Sequence, residues 1–121
     1  MHMSLQPQEV EVFYILPALR RELAIALKEQ GKTQKQIAQL LGVTEAAISQ
    51  YLNAKRATTI LPHEFKELVF DAAIKITDKH AMIREIQLLL TKVRNNGFIC
   101  KLHEQFTADI PKGCDLCYGT R

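Results

Sequence analysis

The sequence predicts an all-α chain of five helices, and three observations carry that reading. Apolar residues recur at intervals of three and four, glycine and capping residues stand at the ends of those periodic runs, and no segment offers a partner strand to another. With 121 residues, 47% of them hydrophobic, the chain is the size of one domain with a single core, or of a small domain with an appendage.

The first helix is expected in "PALRRELAIALKEQ", where Pro17 suits a first turn and Leu19, Leu23, Ala26 and Leu27 share one face. Gly31 ends it, because glycine accepts the left-handed conformation of a helix C-cap. The apolar run "VEVFYILP" ahead of it reads as strand or as helix, and the lack of a partner strand favours helix. Thr33 opens the second helix, with Gln36 three residues on completing a capping box, and Ile37, Ala38, Leu40 and Leu41 supply its buried side. Gly42 breaks that helix, Thr44 caps the third, and "EAAISQYL" runs to Leu52. The polar, basic "NAKRATTI" reads as a loop. Pro62 is expected to start the fourth helix, with Phe65, Leu68, Val69, Ala72, Ala73 and Ile76 on its apolar face. The fifth begins near Asp78 and ends at Gly97. Its Met82, Ile86, Leu89 and Val93 are spaced like a short coiled-coil seam, a pattern that serves equally a dimer contact or the chain's own core.

Charge is unevenly spread. Residues 28–58 hold Lys28, Lys32, Lys35, Lys55 and Arg56 against Glu29 and Glu45, so the whole net charge of +3 resides there. A polyanion-binding module concentrates positive charge in this way, and so does a solvated basic loop. No run approaches the roughly 18 apolar residues that cross a bilayer. The N-terminus lacks the charged-then-apolar layout of a signal peptide, which predicts a cytoplasmic protein.

The most specific signal is "TQKQIAQLLGVTEAAISQYLNAKRA", two short helices joined by a tight turn at Gly42, where a side chain is expected to obstruct the bend. Ala38 is small where the helices approach, while Val43, Ile48 and Leu52 face the core. The outward positions of the second of these helices, Glu45, Ala46, Ser49 and Gln50, are short or hydrogen-bonding, as a surface that enters a major groove and reads base edges must be. A merely solvated helix more often shows Lys and Glu there.

Through Gln34, Ala38, the "LGVT" turn at 41–44, Ile48 and Ser49, this stretch resembles the lambda-repressor and Cro-like (XRE) class of helix-turn-helix transcriptional regulators. More loosely, the span from "ILPALRREL" through "AAISQYLNAKR" to a cysteine-bearing tail looks like small archaeal regulators built on that motif. The resemblance implies a five-helix lambda-repressor-like domain with an extended C-terminal helix. It also implies that Gln34 bonds a phosphate and braces the recognition helix, that Glu45 and Ser49 face bases, and that Asn53, Lys55 and Arg56 hold the DNA backbone. The family often has glutamine where Glu45 stands. Glutamine reads adenine, whereas glutamate accepts from a cytosine amino group and repels phosphate. Lys32, Lys35, Thr44, Ala46 and Gln50 complete the expected DNA-contacting set.

All three cysteines fall in the last part of the chain. Cys100-x2-His103 and Cys114-x2-Cys117 form two chelating pairs, each able to grip one side of a tetrahedral ion. In a reducing compartment such cysteines are better ligands than disulfide partners. Zinc suits Cys3His and leaves no open position for catalysis; an iron–sulfur cluster, with imidazole replacing one thiolate, is the alternative; plain thiols beside a surface histidine are the third reading. The tail is too polar for a core of its own, so a metal staple is expected to supply its folding energy. No catalytic constellation is present: the tail lacks the His-x-Glu of zinc deaminases and the βαβ setting of a thioredoxin CxxC, and His63 and His80 have no nucleophile pattern beside them.

The expected organisation is therefore a helix-turn-helix DNA-binding domain over 9–60, a helical dimerisation region over 61–97 and a Cys/His metal-binding tail over 98–121. The expected partner is double-stranded DNA, contacted as a homodimer because one motif covers half a site. The competing reading is a metal-dependent redox-sensing or scaffold protein that uses the same motif for protein contacts.

Overall fold

The computed structural model describes residues 6–54 and 59–106, with side chains described through residue 103. The described elements are all helical: α1 (Pro7–Val10), a π-helical segment (Glu11–Ile15), α2 (Leu16–Glu29), α3 (Gln34–Leu41), α4 (Glu45–Leu52), α5 (Glu64–Lys75), α6 (Lys79–Asn96) and α7 (Phe98–Phe106). The expected count of five is exceeded at both ends. The run before Pro17 is helical and continuous with α2, and a further helix follows α6.

Pro17 explains the wide turn. It has no N–H to donate, and its ring collides with the carbonyl four residues back in a regular helix. The chain accommodates this by widening: the Leu16 N–H donates to the Glu11 carbonyl, five residues back. Glu11 then forms a forked ion pair with Arg94 near the end of α6. The hydrogen bond to Glu11 raises the Arg94 guanidinium above its ordinary range; partial burial opposes the rise and the attraction of the carboxylate adds to it.

Caps behave as the sequence indicates. Thr33 Oγ1 accepts from the Gln36 N–H at 3.1 Å while Gln36 Oε1 accepts from the Thr33 N–H at 2.9 Å, a complete capping box. Thr44 Oγ1 accepts from the Ala47 N–H at 3.1 Å, and Asp78 Oδ1 accepts from the Ala81 N–H at 2.7 Å. The expected start of the fourth helix at Pro62 shifts inward: Pro62 lies ahead of α5, and its carbonyl accepts from the Phe65 N–H.

α2 is the central strut and packs on α3, α4 and α5. Its expected face, Leu19, Leu23, Ala26 and Leu27, is buried, together with Ile37 and Ala38 of α3 and Ile48 of α4. Leu40, Leu52 and Leu68 are only half-buried at the edge of this core, whereas Tyr51, absent from the expected set, is inside it. The α6 seam resolves in favour of the monomer. Ile86, Leu89 and Val93 are buried in the chain's own core and Met82 packs against its edge, so those side chains are not free to form a dimer contact.

The described part of the tail also departs from expectation. α7 borrows the main core instead of needing one of its own: it packs on α1 and α6, and Ile99, Cys100, Leu102 and His103 are buried. No helix among the described residues is long and apolar enough to cross a membrane.

Candidate nucleic-acid interface

The geometry begins at Gly42. Its φ of 70° is left-handed, and the Val43 N–H returns to the Ala38 carbonyl, closing α3 and aiming the chain into α4. Nothing lies within 4 Å of where a Cβ would stand. The expectation that crowding demands glycine here is therefore corrected: the backbone angle demands it.

Thr44 then starts α4 two residues later. Ala47, Ile48 and Tyr51 turn inward against α2, which leaves Glu45 and Ala46 exposed and Ser49 and Gln50 half-buried on the outer side. These four form a low surface of short or hydrogen-bonding side chains. Glu45 is the first residue of α4, where the partial positive charge of the helix N-terminus favours a carboxylate. Asn53 is exposed; its Nδ2 donates to Ser49 Oγ at 3.4 Å and its N–H to the Ser49 carbonyl at 3.0 Å, so the two side chains are mutually placed. Ala54 follows with φ 56°, a left-handed angle costly for a residue with a Cβ, in a turn where its N–H donates to the Tyr51 carbonyl. Alanine carries no local signal of that turn.

Gln34, the first residue of α3, and Lys32 just before it are half-buried; Lys35 and Thr44 are exposed. The fold thus brings nine of the expected contacts onto α3, α4 and their immediate flanks: Lys32, Gln34, Lys35, Thr44, Glu45, Ala46, Ser49, Gln50 and Asn53. Lys55 and Arg56 lie outside the described residues. A cation that sequence reasoning missed is Lys79. As the first residue of α6 it comes beside Lys35, Gln39 and Glu45 around a depression of about 370 Å³ at the turn. Only the α3–α6 packing brings it there, so no local motif marks it.

This outward α4, held by its threonine cap behind a left-handed glycine turn, is the geometry of a helix-turn-helix. The helix-turn-helix family model matches residues 23–61. Those residues are a helix-turn-helix domain. It takes in the second half of α2, then α3, the turn and α4, and runs on to Leu61, about a third of the chain. DNA binding and transcription regulation are the coarse assignment this domain supports. No curated protein and no solved structure matches the chain.

Of the four expected metal ligands, Cys100 and His103 lie one turn apart on α7, a spacing that puts both on one face. Both are buried, at 9% and 8% exposure. Cys114 and Cys117 lie outside the described residues. Among the described residues no group of three or more His, Cys, Asp and Glu side chains is arranged to hold a metal.

Proposed function

We propose that the chain is a sequence-specific, homodimeric transcriptional regulator of the XRE class, with α4 inserted in the major groove of double-stranded DNA. The observation that carries this reading is the outer face of α4. Glu45, Ala46, Ser49 and Gln50 are held outward, and each is either small or able to hydrogen-bond a base edge. Glu45 and Ser49 are assigned to base edges, Gln34 and Lys35 to phosphates at the start of α3, and Asn53, Lys55 and Arg56 to the backbone beyond α4. Symmetry supports the homodimer, since one domain covers one half-site. With the α6 seam spent in the core, its interface falls to exposed residues such as Ile83 and Leu88.

A Cys3His site formed by Cys100, His103, Cys114 and Cys117 belongs to the same proposal, holding zinc or, alternatively, an iron–sulfur cluster. The pairing of Cys100 with His103 on one face of α7 fits half of such a donor set, and three thiolates with one imidazole match a closed tetrahedral ion. Bound there, a metal ties the C-terminal segment to α7 and so to the core.

The test of DNA binding is a gel shift over a salt series on fragmented genomic DNA. The apparent affinity is expected to fall steeply with salt, and Lys55→Ala and Arg56→Ala should each reduce that slope by about one while weakening all sequences alike. Salt-independent binding, or none, ends this reading.

A further inference from the structure

A groove of about 540 Å³ runs between α2 and α5. Its floor is apolar, made by Ile25, Ala26, Val69 and Phe70, and Phe70 is 42% exposed. Its rim is acidic, with Glu22, Glu29, Glu67 and Asp71 against the single cation Lys66. Arg21 offsets Glu22 at 3.2 Å. Glu29, Glu67 and Asp71 are exposed, and among the described residues no ion pair engages them. One turn beyond Phe70, Ile74 continues the apolar ridge at 58% exposure.

We propose that this groove docks a cationic amphipathic segment of a partner protein, one that seats apolar side chains between Ile25 and Phe70 and sets Lys or Arg against Glu29, Glu67 and Asp71. Charge selects the occupant. Carboxylates along the rim repel phosphates, so DNA is excluded, and none of the lining residues belongs to α3 or α4. A two-fold contact between copies of this chain brings the same acids face to face, which disfavours self-association here. An apolar floor within a polar rim is the anatomy of a site that binds a helix by its apolar face. Because the groove lies outside the helix-turn-helix pair, such a partner can be held while α4 remains available.

The test uses the full chain and two short fluorescent peptides with the same i, i+3, i+4, i+7 leucine pattern, one filled with lysine and the other with glutamate. Fluorescence anisotropy should show binding of the lysine peptide alone, weakening with salt. Phe70→Ser should reduce its affinity by about tenfold through lost apolar contact. The double variant Glu67→Lys with Asp71→Lys should also reduce it by about tenfold, and it leaves the core untouched, so it keeps the test valid if Phe70→Ser folds poorly. Glu64→Lys, outside the lining, should leave affinity unchanged. Equal binding of both peptides, binding of neither, or indifference to the charge reversal overturns the proposal. Sedimentation showing that Phe70→Ser turns a dimer into a monomer overturns it in favour of a second copy. Gel shifts on the same variants keep this result separate from the DNA-binding reading, which survives any of these outcomes.

Discussion

Gly42 and Ser49 show how differently two residues of one motif can be constrained. At Gly42 the requirement is an angle. Gly42→Ala meets no neighbouring atom but must hold φ near 70°, which costs about 1 kcal/mol. A lower denaturant midpoint with an unchanged slope in chemical unfolding is the expected result; an unchanged midpoint removes the argument. At Ser49 and Glu45 the proposed requirement is chemical. Glu45→Gln exchanges an acceptor for an amide that both donates and accepts, so selection from a random DNA pool should move from cytosine toward adenine opposite that position, by about 1–3 kcal/mol of discrimination. Unaltered selection would place Glu45 away from the bases. The Thr33 and Thr44 caps and the place of the Gly42 turn are visible in sequence because capping and turn rules depend on adjacent residues. The left-handed Ala54 was not visible, since alanine does not advertise φ above zero, and neither was Lys79, which reaches the turn only through the packing of α6 on α3.

Helices stand or fall on their buried faces, and α6 allows that to be weighed against its ion pairs. Leu89 is 3% exposed in the core, and Leu89→Ala should cost about 2–5 kcal/mol, a large part of the stability of a domain this size. Arg94 is half-exposed, so its pair with Glu11 is screened, and Glu11→Gln should cost less than about 1 kcal/mol. Parallel denaturation curves decide the order; an equal loss in both would mean that the Glu11–Arg94 pair contributes as much stability as the packing of Leu89. By the same burial, Leu89→Asp should unfold the chain rather than release a folded monomer. Sequence periodicity found α2 to α6 and their inner faces because each helix has one apolar stripe. It could not tell whether the α6 stripe met the chain's own core or a second copy, since both demand the same residues. It also missed α7, because cysteine and histidine in "FICKLHEQF" read as ligands where Ile99 and Leu102 make the run amphipathic.

At the scale of the molecule, the first and last described helices meet: α7 packs on α1, and α1 continues through the π segment into α2, which supports both α3 and α4. Any event at Cys100 and His103 is thus applied to a helix that continues into the helix-turn-helix domain. Their burial gives them two possible duties, and the paired cysteines separate these. Cys100→Ser and His103→Gln put a changed polar group in a closed site and should destabilise the fold with or without metal. Cys114→Ser and Cys117→Ser should lower stability only if a metal is held, and then each should release it. Metal analysis of protein purified without oxygen, beside thermal unfolding of all four variants, distinguishes the cases. One ion of zinc per chain, lost equally from all four, supports the Cys3His site. A brown protein containing iron and sulfide assigns the cluster instead, and His103→Cys should then shift its absorption and potential, whereas zinc tolerates a fourth thiolate. If neither metal is found, and only the Cys100 and His103 variants lose stability, the two residues are part of the α1–α6–α7 core and the C-terminal pair has another task.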